Sequence, residues 1–352
     1  MERMIILQTV TPAYRKNFFT FLKRSLNNNF VLFGGDFYFD KSVKSDPSIL
    51  FKKQVKNYFF LNRKILFQMG MWHMVLKQNK LVLEMNPRII SNWIILLLRK
   101  WSGNKTILWG HAWPREGATS KSDKLRNIMR KLADEIVVYT KTQQTELQHK
   151  MPSKKILAAP NSIYYKKQMT SNQDFNLIKN VIYVGRLTTN KKPMLLVKSF
   201  HLSIKHLPLE ANLILVGDGG ERELIENYIK NNNLFERIKL LGPIDAYEKL
   251  KELYHTSLLS VSPGYVGLSA TQSFGFGVPL IISKNEPHSP EIEAVKIKKN
   301  AMFFNTDSME SLSQEIIKFY DQKELWVSKR VDICNFCKEN YSVEAMAESF
   351  LI

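Results

Sequence analysis

Two cations at fixed spacing mark where this chain has the means for chemistry. Arg186 stands in Gly185-Arg186-Leu187, and Lys191 follows five residues later. The apolar run Asn180–Val184 predicts a strand before them, and a helix is expected from about Lys192 to His206. A helix start flanked by a guanidinium fork and a compact ammonium suits a diphosphate. Taken alone the pair is weak, because Arg and Lys at a strand end are commonly just solvated. Further along, Gly217-Asp218-Gly219 closes the next apolar run, Gly242-Pro243 the third, and Ser262-Pro263-Gly264-Tyr265-Val266-Gly267-Leu268 the fourth. His288-Ser289-Pro290-Glu291 lies just past the fifth.

The elements needed to hold these residues are plain in the second half. Strands are expected at Asn180–Val184, Asn212–Val216, Ile238–Leu241, Leu258–Ser262, Pro279–Ser283 and Ala301–Phe304, with helices alternating between them. Near-continuous apolar strands alternating with 3.6-residue-periodic helices predict a parallel sheet covered on both faces. Ligands of such sheets bind beyond the C-terminal strand ends, where the residues above cluster. The first half repeats the theme less cleanly. Strands are expected at Met4–Val10, Phe30–Phe33, Leu81–Glu84, Thr106–Trp109, Glu135–Tyr139 and Ile156–Ala159, and helices at Tyr14–Leu26 and Ile90–Trp101. Leu108-Trp109-Gly110-His111 ends one of these strands. A lone His there is most often a structural hydrogen-bonder.

In order and spacing, residues 178 to 305 resemble the family 4 (group 1) retaining glycosyltransferases of the GT-B superfamily. Those read strand-Gly-Arg-Leu…Lys, then Val-Gly-Asp-Gly, then Pro-Ser…Glu-Gly-Phe-Gly…Glu-Ala…Gly…Pro-Val. The resemblance implies an α/β fold, GT-B, with two doubly wound Rossmann-like domains facing a central cleft. It implies domains at 1–168 (acceptor) and 177–335 (nucleotide sugar), with a C-terminal helix at 336–352 packing back toward the first. It also implies transfer of a sugar from a nucleoside diphosphate to a glycan or polyprenyl-linked acceptor, with no cofactor and no metal. Arg186 and Lys191 would neutralise the phosphates. Gly185, Gly217, Val266, Gly267 and Leu268 would lie at the diphosphate, and Gly242 against the base. His111 would face the transferred sugar, hydrogen-bonding it or polarising developing charge. Two family glutamates fall on Gly264 and Gln272. Gln272 retains a donor and acceptor for a ribose hydroxyl, whereas Gly264 has no side chain, so His288 and Glu291 are the expected substitutes at the sugar, with a first-turn helix residue stabilising the dipole as the alternative for Glu291. At the exit of the first strand, where relatives often have a glycine pair, this chain has Thr11-Pro12-Ala13-Tyr14-Arg15. Tyr14, Arg15 and Arg115 are acceptor candidates, with solvated surface charge as the alternative.

The chain of 352 residues carries 51 basic and 32 acidic side chains, a net +19. Its 44% hydrophobic content is that of a globular protein, and its length fits two domains. Such a charge favours anionic partners but does not choose among them. No nucleic-acid signature accompanies it, so nucleic acid is not an expected partner. Basic residues mixed with aromatics at Tyr14–Leu26 and Asn62–Lys80 suggest interfacial helices on an anionic membrane, although helices packed on a sheet read the same way. No signal peptide or membrane-length apolar run is evident, so a cytoplasmic protein, peripheral on the inner face of the plasma membrane, is expected. Polysaccharide or lipopolysaccharide assembly is the pathway the resemblance suggests. Cys334 and Cys337 have half a zinc-site spacing but no second pair, and read as small apolar residues of a helix. The competing reading is a non-catalytic protein that binds nucleotide sugar or glycan, for which Gly264 is the one favouring feature.

Overall fold

The computed structural model describes residues 3–114 and 117–351. The chain forms two compact units, residues 1–163 with 343–352, and residues 164–342.

In the first unit the strands are β1 (Met4–Val10), β2 (Phe30–Gly35), β3 (Lys52–Gln54), β4 (Lys56–Phe60), β5 (Ile65–Met69), β6 (Lys80–Glu84), β7 (Thr106–Trp109), β8 (Glu135–Val138) and β9 (Lys155–Ala158). Seven of them pair in parallel in the order β3-β2-β1-β6-β7-β8-β9, while β4 and β5 form a separate antiparallel hairpin. The helices are α1 (Lys16–Leu26), α2 (Trp72–Val75), α3 (Ile90–Trp101), α4 (Ser122–Leu132) and α5 (Lys141–Lys150). Every residue of β1 is buried, as a strand covered on both faces requires. Phe18, Phe19 and Leu22 of α1 pack on one face against Met4, Ile6 and Leu32. On the other, Ile95 and Leu96 of α3, Met129 of α4 and Leu147 of α5 cover Ile5, Leu7, Leu81 and Leu83.

Two sequence expectations change here. The apolar side of α1 is core, so its basic and aromatic residues describe a packed helix with Lys outside. Residues 62–80, expected as a second interfacial helix, instead hold the turn and second strand of the β4–β5 hairpin and the start of β6, with only Trp72–Val75 helical. Leu61, Asn62 and Arg63 turn it with φ of 49°, 51° and 62°. Cross-strand pairing such as Tyr58 with Phe67 and Phe59 with Leu66 suits aromatic and branched residues better than a helix does.

The second unit holds β10 (Asn180–Val184), β11 (Leu213–Val216), β12 (Ile238–Gly242), β13 (Ser257–Ser262), β14 (Leu280–Ser283) and β15 (Ala301–Phe304), all parallel, in the order β12-β11-β10-β13-β14-β15. Numbered within the unit, that is 3-2-1-4-5-6, the dinucleotide-binding order, whose direction reverses between β10 and β13. Its helices are α6 (Pro193–Ser203), α7 (Arg222–Asn231), α8 (Tyr247–His255), α9 (Ser269–Gly275), α10 (Met309–Asp321), α11 (Lys323–Ser328) and α12 (Arg330–Tyr341). Pro193 opens α6, where its missing N–H costs nothing. Cys334 and Cys337 are buried on α12 and donate to the Gly275 and Thr271 carbonyls of α9 at 3.2 and 3.3 Å. A break at Ser342 separates α12 from α13 (Val343–Leu351), which belongs to the first unit. There Phe350 packs edge-on against Phe18 and Trp109, at 5.3 and 5.0 Å between ring centroids.

Charge is divided unevenly. The first unit has 28 basic and 12 acidic side chains, a balance of +16; the second has 23 and 20, a balance of +3. Among the described residues no helix is long and apolar enough to cross a membrane.

Candidate functional site

The reversal point of the second sheet brings the exits of β10 and β13 together. Tyr183, Gly185, Lys191, Ser262, Gly264, Tyr265 and Ser269 line a small recess there. The backbone is tightly laced beneath it. Gly185 N–H donates to Val216 O (2.9 Å), Leu187 N–H to Asp218 O (2.8 Å) and Gly217 N–H to Gly242 O (2.8 Å). Gly217 has φ +142°, and a β-carbon on it would lie 1.8 Å from the Gly185 carbonyl oxygen. Only glycine allows this approach. Tyr183 hydroxyl donates to the Arg186 carbonyl at 2.7 Å, steadying the residue while its side chain stays exposed.

Lys191 is half-buried. Its ammonium donates to the Tyr265 carbonyl at 2.8 Å and lies 3.4 Å from the Tyr265 ring centroid. Arg186 Nη2 stands 3.5 Å from the Tyr265 hydroxyl. Burial and the neighbouring Arg186 charge push the Lys191 pKa down to about 8, with Glu291 opposing. Among the described residues the two cations thus share one spot with no carboxylate in ion-pair contact, which is what an incoming polyanion would supply.

Tyr265 was not singled out from the sequence as a site residue, since a Tyr in a loop has no periodic or charge signal. The departure at Gly264 also gains a physical cause. A β-carbon there would lie 2.3 Å from the Asn190 carbonyl and 2.9 Å from Lys191 Cα. The turn that carries Lys191 occupies the space a side chain would need.

Around Val266–Ser269 the expected amides are partly committed. Val266 N–H donates to His288 Nδ1 at 3.0 Å, and the Val266 carbonyl accepts from Ser289 N–H at 3.0 Å. His288 Nε2 then donates to Ser283 O at 3.0 Å, so the ring is held as the neutral tautomer, and burial lowers its pKa. His288 is therefore a clamp on this loop. Gly267 lies where Ser289 Oγ and Lys191 Nζ converge, 3.8 and 3.9 Å from a β-carbon position on it. Leu268 precedes α9, and Glu291 is buried in the 3-10 turn Pro290–Ala294. Gln272, expected at a ribose, donates to the Tyr164 hydroxyl at 2.8 Å and stands 3.4 Å from the Tyr254 hydroxyl. Gly242 adopts φ +75° at the exit of β12.

In the first unit, His111 is exposed past β7, its ring edge-on to Tyr139 with centroids 4.7 Å apart. Arg126 donates to the His111 carbonyl at 2.8 Å. Arg15 is neither solvated nor turned outward. It is buried, donates to Gln8 Oε1 and the Tyr139 hydroxyl at 2.8 Å each, and lies 4.3 Å from the Trp109 ring centroid. Tyr14 beside it is 38% exposed, while Arg115 lies outside the described residues. The structure adds Glu84 at the exit of β6, whose carboxylate accepts from Thr9 N–H at 2.6 Å and Thr9 hydroxyl at 2.8 Å. Burial raises its pKa against those bonds and Arg15. A single Glu ending an apolar run carries no signal that could have revealed this.

Ligands of doubly wound sheets bind at the reversal point, and here that point carries a glycine-laced turn and two cations. Residues 166–333 match the family model Glycosyl transferases group 1. An uncharacterised glycosyltransferase of Methanocaldococcus jannaschii is 28% identical over 264 residues, covering 68% of this chain and 64% of that protein, so the chain spans under two thirds of the relative's length. Among solved structures, Anabaena HepE in complex with UDP has a TM-score of 0.72 at 13% identity, covering 100% of this chain and 98% of its own. TarM of S. aureus has a TM-score of 0.67 at 12% identity, covering 100% and 98%. Residues 166–333 thus belong with the group 1 glycosyltransferases, and the chain has the GT-B fold.

Proposed function

We propose that the protein transfers a sugar from a nucleoside diphosphate to a hydroxyl of a glycan or lipid-linked oligosaccharide, with retention, in polysaccharide or lipopolysaccharide assembly. The observation that carries this reading is the convergence of Arg186 and Lys191 at the reversal point of the second sheet. Proteins of the same fold have been solved with UDP and glucose, and with UDP and a glycosyl-glycerol. In this reading Arg186 and Lys191 hold the diphosphate and take the place of a metal as its counter-charge. As the bond from the anomeric carbon to the leaving phosphate oxygen breaks, the acceptor oxygen bonds to that carbon on the same face. Its proton passes to the departing phosphate oxygen, so no protein base is needed. The protein's part is positioning and charge stabilisation, with His111 the candidate partner of the sugar. The non-catalytic alternative leaned on Gly264, and the packing of the Lys191 turn accounts for that residue without any decay of the site.

The test is a thermal-shift and calorimetric screen against UDP, GDP, ADP and their sugars, with Arg186→Ala as control. Selective stabilisation by one nucleotide, lost in the exposed-residue variant, is expected. A folded protein that binds none of them at low salt would overturn the reading.

A further inference from the structure

Lys191 has a lysine neighbour whose charge is already paired twice. Lys192 stands between the 3-10 turn Thr189–Lys191 and α6, at φ 52° and ψ 41°, in the left-handed region that disfavours a residue with a β-carbon. Its ammonium lies 2.6 Å from Glu286 Oε1 and 2.6 Å from Asp307 Oδ1. The Glu286 side chain is only 9% exposed, so salt screens this pair less than a surface pair, whereas Asp307 is a solvated second partner. Lys192 thereby ties the turn after β10 to the loops after β14 and β15, 94 and 115 residues further along.

The contacts close on themselves. The Glu286 carbonyl accepts from His288 N–H at 2.8 Å, and His288 Nδ1 accepts from Val266 N–H at 3.0 Å. Val266 follows Tyr265, whose carbonyl accepts from Lys191 Nζ at 2.8 Å. Lys191 is joined to Lys192 by the chain itself. The resulting ring runs through the exits of β10, β13 and β14, and it includes both the half-buried cation and the loop before α9. Ser283 braces it: the carbonyl accepts from His288 Nε2 at 3.0 Å and the hydroxyl stands 2.8 Å from Thr306 Oγ1. When Lys191 exchanges the Tyr265 carbonyl for a phosphate oxygen, the Lys192–Glu286 pair still holds its turn to the exit of β14.

We propose that Lys192 is a positioning residue for diphosphate binding. Its ion pair with Glu286 fixes the turn that presents Lys191 against the loop that His288 clamps, so the ligand meets a site already arranged. The inference rests on the nucleotide-sugar reading of that site. It gives adjacent lysines different tasks: Lys191 offers its charge to the ligand, and Lys192 has committed its charge to the protein.

The experiment is calorimetry on the full chain with inorganic pyrophosphate, UDP, GDP and ADP, in the parent, Glu286→Gln, Lys192→Gly and the double variant. Glycine accepts the left-handed conformation, so Lys192→Gly removes the ion pair while keeping the turn. Glu286→Gln removes a negative charge, and a Lys192 that acted by through-space attraction alone would then bind these anions more tightly. Positioning predicts the reverse. Affinity should fall about fivefold or more in each single variant, with little further loss in the double variant. Unfolding midpoints are measured beside it, and the loss should persist at temperatures where every variant is folded. Unchanged or tighter binding by folded Glu286→Gln would overturn the proposal alone. So would additive losses in the double variant, which would mean that Lys192 meets the ligand directly. A folded parent that binds none of the four probes would overturn it together with the reading on which it rests.

Discussion

Both units start from the same strand order, with the first adding a seventh strand, yet the exits of their first strands are built differently. At the exit of β10, Gly185 and Gly217 let two loops press together, and among the described residues Arg186 and Lys191 have no carboxylate in ion-pair contact. At the exit of β1, Thr9 donates twice to Glu84, while Arg15 folds inward onto Gln8 and Tyr139. That network satisfies itself. The comparison teaches that charge count and binding capacity are separate matters. The unit with a balance of +16 has turned its best-placed Arg inward, and the unit at +3 has two cations converging on one spot.

The comparison can be broken at several points. The largest effect is expected at Gly217: Ala would clash with the Gly185 carbonyl and adopt a strained φ, costing about 3 kcal/mol or more. Chemical denaturation measures this, and an unchanged midpoint would show that the exit of β10 is looser than described. Next, Lys191→Ala should weaken nucleotide binding by about 10–100-fold, the range of a lost charge-assisted bond. Arg15→Ala should leave that affinity alone while lowering stability by about 2 kcal/mol. Calorimetry on both variants checks the pair, and a reversed pattern would undo the contrast.

Two smaller effects sharpen it. Lys191 has a pKa of about 8 in the free protein, below the ordinary 10.5, and a bound diphosphate favours its charged form. Below pH 8 binding therefore takes up no proton at Lys191; above pH 8 it must, and affinity falls. The expected loss between pH 7 and pH 9 is about tenfold, seen also as a buffer-dependent binding enthalpy, and Lys191→Arg should flatten it. Finally, Gly264→Glu, which places the family's acid in this chain, should weaken nucleotide binding several-fold instead of improving it, because its β-carbon meets the turn carrying Lys191. Improved binding would mean that the turn yields easily.

Much of the second unit was legible because its signals are local. Strands covered on both faces are apolar throughout, and the glycines and cations fall at their ends in chain order. The first unit was harder to read. Its hairpin at 56–69 mixes basic and aromatic residues in a way that also fits a helix, and the pairing of Tyr58 with Phe67 decides between them. His288 and Gln272 stand out in the sequence as polar residues, but nothing nearby in sequence shows that one clamps Val266 and the other bonds to Tyr164.

By itself the sequence determined the alternation of strands and helices, the positions of the turn glycines and the total charge, since each follows from neighbours a few residues apart. Only the tertiary structure decided that Arg15 faces inward, that Gly264 makes room for the Lys191 turn, and that Lys192 is paired with Glu286. Those outcomes rest on contacts between residues some 70 to 125 positions apart, and close packing is set in space and not along the chain.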